Sequence, residues 1–388
     1  MKRCNAIRLA FALCMITAGV NLQAPLYDAL AARNGLGVGA TTIAFACYVA
    51  GIVPVLLGLN GLAGRVGRKP LIVIALLLSL LATAITLMAP SLLGLGIARF
   101  LLGVGMGLTS AVAPAYMQML FEDQKSDTTN SATNDATNDA TSYVTASTAL
   151  GFGLGAAVTS LFIFHAPSVS PPSLWLYLAA ASLALLMIIT LDDYAPNSVN
   201  NAMLRLPSYP PGTLAYGLAI LLAWATVGLV IAILPSTLQK HGLSAWSGFA
   251  IFGICSCGVL FQPWARKLAP RTATVLGLVI LPLAYSLIAW GAIQGYLFVV
   301  LLGTVAASSA CYGFIYLGGL SGVLEIAGML STQASAGYFL MAYMGFSIPV
   351  ISTGILIDAV GHTLALTLFG LALVGGVVVT IGLLRRAQ

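Results

Sequence analysis

The chain has 388 residues, 60% hydrophobic and 7% charged, with a formal net charge of +6. Soluble domains carry about 25% charged residues, so this composition excludes a soluble globular fold and points to a membrane protein. Nucleic acid is excluded as a partner too, because the positive charge is dispersed over short turns instead of gathered on one face.

A spanning helix needs about 20 mainly apolar residues. Twelve such segments are predicted: 7–30, 40–62, 70–89, 92–118, 142–164, 174–191, 212–235, 246–265, 272–292, 296–317, 333–357 and 362–384. The start, M-K-R-C-N-A-I-R, has the charge of a signal peptide, but the apolar run continues to Leu30 with no small-residue cleavage site. It reads as a retained first helix. That segment carries Asn21, Gln23, Pro25 and Asp28. Asn21 can hydrogen-bond a substrate but cannot carry a proton. Asp28 falls near the outer surface, where it is either a gate partner for a deeper cation or a solvated loop charge.

The turn after the second segment reads G-R-V-G-R-K-P over 64–70. Gly67 permits a tight reversal, Pro70 suits the first turn of the next helix, and Arg65, Arg68 and Lys69 hold the loop on the cytoplasmic side. The fourth segment holds L-G-I-A-R-F-L-L-G-V-G-M-G from Leu95 to Gly107. Arg99 is the only charge near the middle of a long apolar segment. A guanidinium in hydrocarbon is costly and is expected to face a water-filled cavity; the alternative is that it braces helices without touching substrate. Gly103, Gly105 and Gly107 smooth one face for close helix packing.

Residues 121–141 are polar and contain N-D-A-T twice, so a disordered cytoplasmic insert is expected. G-F-G-L-G-A-A from Gly151 reads as another packing face. The stretch 192–211 divides the spans six and six and is the natural linker between residues 1–191 and 212–388. In the second half, Tyr216, Trp224, Tyr312, Tyr316, Tyr338 and Tyr343 are candidate cavity residues, since aromatic rings with a polar tip suit amphipathic ligands. The six cysteines and three histidines show no metal-ligand spacing, and no convergent nucleophile and base point to an enzyme.

Lys and Arg set the orientation. With the N-terminus in the cytoplasm, thirteen of the 16 Lys and Arg lie inside, Arg33 and Lys240 lie outside, and Arg99 lies within the membrane. Both ends are then cytoplasmic. The halves also echo each other. Gly19–Pro25 is answered by Gly228–Pro235, and Ala63–Pro70 by Ala265–Arg271. Internal repeats around a midplane site are the usual plan of secondary transporters.

Twelve spans as six plus six, G-R-V-G-R-K-P between the second and third, and R-x-x-x-G-x-G-x-G in the fourth resemble the major facilitator superfamily. The helix 10 to helix 11 stretch, V-L-E-I-A…S-T-Q-A-S-A-G-Y-F-L-M-A-Y-M-G-F-S-I-P, resembles its bacterial drug and metabolite exporters. The resemblance implies an all-α fold of two six-helix bundles in the inner membrane, working as a monomer by alternating access. It implies export of a small organic molecule, possible proton coupling, and no cofactor. It also implies conformational roles for Arg65, Gly67, Arg68, Lys69, Gly103 and Gly107. The chain departs from the family at two acidic positions: Gly64 stands where the turn motif has Asp, and Asn21 where exporters place a carboxylate. The family's proton role for the helix 4 arginine passes to Arg99, but arginine does not deprotonate in proteins. A fixed charge that favours a substrate carboxylate or other acceptor is the preferred reading. The alternatives are an uptake carrier for an organic anion bound at Arg99, and a transporter-like membrane sensor.

Overall fold

The computed structural model describes residues 2–33, 35–58, 62–122, 131–191 and 206–386. Among them there is no strand. Eleven helical runs are long and apolar enough to cross a bilayer; one of them, Leu297–Val360, has 64 residues and is long enough for two passes. It divides at Gly328, whose φ of +51° is open to glycine and costly for other residues. The result is twelve helices. They are α1 (Cys4–Arg33), α2 (Val38–Gly58), α3 (Arg68–Met88), α4 (Leu92–Glu122), α5 (Ser131–His165) and α6 (Pro172–Ile189), then α7 (Thr213–Ala232), α8 (Ser244–Ala265), α9 (Pro270–Gln294), α10 (297–327), α11 (Ser331–Val360) and α12 (His362–Arg386).

Helix α1 is not continuous. Its regular part ends at Asn21, a short 3-10 turn Ala24–Leu26 carries Pro25, and helix resumes at Tyr27–Arg33. Helix α7 ends at Ala232 and is followed by Leu234–Gln239, with Pro235 in its first turn. The two echoed prolines therefore break equivalent helices, since a proline interior to a helix removes a bond and clashes with the preceding turn.

Close packing follows the small residues. Gly51 and Gly103 face each other's helices, so that a Cβ on Gly103 would strike the Tyr48 carbonyl and one on Gly51 the Phe100 carbonyl. Gly107 rests on Val55. Gly151 and Gly155 lie against α1 at Cys14, Thr17 and Ala18, while Gly153 lies against Phe252 and Ser256 of α8.

The polar stretch 121–141 is helical wherever it is described. Residues 123–130 lie outside the described residues, but α5 begins at Ser131, so the N-D-A-T repeats continue into a helix. Alanine, and the pull of the long apolar helix that follows, extend the turn backwards. Of the linker, 192–205 lie outside the described residues. Its end docks on α11: the Ser208 amide donates to the Gln333 carbonyl at 3.1 Å.

Candidate functional site

Helix ends carrying Arg8, Arg65, Arg68, Lys69, Arg266, Lys267, Arg271, Arg385 and Arg386 mark one face of the molecule, called here the basic end. A cavity of about 580 Å³ lies between the first six helices and the last six and reaches toward that end. This volume is in the range of small-molecule sites, roughly 300–1,000 Å³. Its walls are α1 at Asn21, α2 from Tyr48 to Leu57, α4 from Met106 to Pro114, α5 from Thr141 to Phe152, and Trp224, Gln262, Tyr312, Tyr316 and Tyr343 from the second half. Every described lining residue is uncharged.

Rings dominate one side. Trp224 meets Tyr343 edge to face at 5.2 Å, Phe346 at 5.6 Å and Tyr312 at 6.3 Å between centroids. Asn21, Thr109, Ser110, Thr145 and Thr148 add an amide and hydroxyls to the lining from the first half. The Asn21 amide nitrogen donates to the Phe152 carbonyl at 2.9 Å and lies 3.8 Å from Cys255 Sγ. Asn21 thus joins α1 to α5 and touches α8. Its Oδ1 and the Trp224 Nε1 have no partner among the described residues.

Arg99 does not line this cavity, contrary to the sequence expectation. It is fully buried at 0% exposure among α1, α2 and α4. Its Nη1 donates to the Val20 carbonyl at 2.5 Å, and its guanidinium sits 4.7 Å from the Phe45 centroid and 5.0 Å from that of Tyr48. The helix break after Asn21 leaves carbonyls in α1 without intrahelical donors, and Arg99 takes the nearest. Tyr48 lines the cavity, and Arg99 beside it does not. The bracing alternative describes this geometry better than a reading head does.

The other candidates divide. Asn21, Trp224, Tyr312, Tyr316 and Tyr343 line the cavity together. Gln23 is buried, its amide atoms have no partner among the described residues, and it stays outside the lining. Asp28 lines a smaller pocket of about 290 Å³ at the far end, beside Lys240 and His362, and among the described residues it forms no pair with Arg99. Tyr216 is wedged against Gly322. Tyr338 packs on Gly319, and its hydroxyl, 3.2 Å from the carbonyls of Ile315 and Tyr316, is shared between them. Those carbonyls end a π-helical turn, Ser309–Ile315, that sets Tyr312 into the cavity wall. Both tyrosines were expected in the cavity and are packing residues instead, because the apolar body of a tyrosine suits a helix interface as well as a ligand.

The turn after α2 ties the first six helices together. Gly67, with φ +94°, starts α3. The Arg68 guanidinium donates to Met119 Sδ of α4. Lys69 Nζ donates to the Leu191 carbonyl, just past the end of α6, at 2.5 Å. This is a cation on a helix C-terminus. Arg65 is exposed.

Sequence reasoning missed Tyr48, Phe152, Gln262 and Phe346 in the lining. Their helices are apolar on every side, so no periodic signal singles out the cavity face.

Residues 9–328 match the family described as Major Facilitator Superfamily. The chain belongs to this superfamily. Solved transporters share its fold at low identity. The nucleoside transporter NupG is 12% identical with a TM-score of 0.73, each chain covered to 99%. The peptide transporter POT in complex with sulfate is 15% identical with a TM-score of 0.73, over 99% of this chain and 94% of that one. The human organic anion transporter MFSD10 (TETRAN) is 16% identical with a TM-score of 0.64, each covered to 99%. Among curated proteins, none matches this sequence. The chain is thus a multi-pass membrane transporter in class, and such a protein binds a small-molecule substrate.

Proposed function

We propose that this superfamily member moves an uncharged, ring-bearing organic solute through the central cavity by alternating access. One observation carries the reading: the described lining combines a cluster of edge-to-face and tilted rings with hydroxyls and amides, and holds no charge. Rings supply area, and a few fixed polar groups supply orientation. An organic anion would have to leave water with no cation at the site, which costs several kcal/mol or more. The sealed position of Arg99 therefore speaks against the anion carrier.

Residues 1–191 and 212–388 are the two bodies that rock, joined by 192–211. Positive charge on the basic end supports a cytoplasmic position for that end, and we assign the chain to a bacterial-type inner membrane. The cavity then faces inward, the state in which an exporter loads its cargo, and export is the direction we assign.

The test uses purified protein in detergent with a ligand panel read by thermal shift. Uncharged heteroaromatic compounds are expected to raise the melting temperature, and organic acids of the same size are not. Stabilisation by the acids alone would overturn the proposal. Counterflow in right-side-out and inverted vesicles with the best ligand then reads the direction.

A further inference from the structure

The end of the molecule opposite the basic turns is closed by two seams between the first six helices and the last six. In the first seam α2 meets α11. Asp358, near the end of α11, accepts from the Val38 amide at 2.9 Å and the Gly39 amide at 2.8 Å, the first two residues of α2. Gly37 and Gly39 let the carboxylate approach; a Cβ on either would press into it. Deeper along the same seam, Gly354 lies on Thr42, and Phe346 meets Phe45 at 4.7 Å.

In the second seam α5 meets α8. Ser160, near the end of α5, accepts from the Gly248 amide at 2.8 Å, in the first turn of the helix Ser247–Ser256. Here too the amide belongs to a glycine whose Cβ would collide with the opposing helix at Ala156 and Ser160. Counting six helices on, α2 corresponds to α8 and α5 to α11. The two contacts are therefore counterparts under the internal repeat, one made by a carboxylate and one by a hydroxyl.

The first amides of a helix have no intrahelical acceptor, and the N-terminus carries partial positive charge. In each seam the missing acceptor comes from the other half of the chain. We propose that Asp358 and Ser160 are paired latches that hold the far end shut, and that both release together when the far end opens. The chain carries Gly64 where the family's turn motif at the basic end has Asp. The acidic latch of this chain stands at the opposite end.

A shared gate has a signature that two local caps lack: weakening one latch frees the other. Amide hydrogen exchange of the full chain in lipid nanodiscs reads it, because exchange reports opening of the bonds concerned. Asp358→Asn is expected to speed exchange roughly fivefold at Val38 and Gly39, and also at Gly248, the size set by a charge-assisted cap on an exposed helix end. Ser160→Ala is the reciprocal experiment, and it stands alone if Asp358→Asn fails to fold: it is expected to speed Val38 and Gly39. Acceleration confined to the mutated seam in either variant would overturn the proposal. So would unchanged exchange at both seams.

Discussion

Arg99→Met separates a bracing cation from a substrate-binding one. The side chain gives up a hydrogen bond from a charged donor to Val20, worth about 1.5–3 kcal/mol. It also gives up ring contacts to Phe45 and Tyr48, worth about 0.5–2 kcal/mol each. The attraction lost is roughly 2.5–7 kcal/mol by these figures. Against it stands the charge itself, fully buried, whose removal from water costs several kcal/mol. Its Nε and Nη2 also have no protein partner. The two sides cancel to within a few kcal/mol, and methionine fills nearly the same unbranched path. The expected melting temperature in detergent lies within about 5 °C of the parent. Arg99→Ala, which leaves a void, is expected to cost about 3–5 kcal/mol. Because the guanidinium lies outside the cavity lining, Arg99→Met is expected to keep the affinity for an uncharged ligand within about fivefold, the effect of roughly 1 kcal/mol on one wall. Abolished binding with an unchanged melting curve would show that the guanidinium touches the solute. A loss of more than about 15 °C would show that attraction outweighs desolvation and that the balance above is wrong.

Gly103→Val drives a branched side chain into the Tyr48 carbonyl at the α2–α4 crossing. It is expected to destabilise the protein by about 3 kcal/mol or more, read as a lower melting temperature, while Gly58→Val, a position with no neighbour in reach of a Cβ, is expected to stay within about 1 kcal/mol. Asn21→Asp keeps a donor toward the Phe152 carbonyl only when the acid is protonated; the carboxylate sets two acceptors face to face. Flux by this variant is therefore expected to fall as pH rises from 5.5 to 8 relative to the parent, and parallel pH profiles in proteoliposomes would refute this.

Much of the fold is legible in the sequence. Hydropathy gives the spans because lipid offers backbone groups no partner, so each crossing must be a complete helix. The breaks after Asn21 and Ala232 are foreshadowed by Pro25 and Pro235, which stand at equivalent places in the two halves. The site is less legible. Asn21 and Trp224 are candidates by residue type, and both line the cavity. Arg99 is expected to face the cavity, and it lies instead against Val20, Phe45 and Tyr48, outside the lining. Depth follows from counting residues along a helix; azimuth depends on which neighbours pack where, and an all-apolar helix has no moment to reveal it. Only the fold brings Asp358 to Val38 and Gly39, 320 and 319 positions away.

The placement of charge ties these findings together. Cations on the basic end secure turns and helix ends, as Lys69 does for α6. Arg99 is sealed behind rings, and Asp358 closes a seam. The charges described here act on the protein's own dipoles and aromatic faces, and the described lining of the cavity is neutral. Such a site selects by shape, ring area and hydrogen-bond pattern. It leaves conformational preference to the seams, so that affinity and gating can be altered by different residues. Mutations at Asp358 or Ser160 are then expected to change how often the far end opens, and mutations at Trp224 or Asn21 to change what is carried.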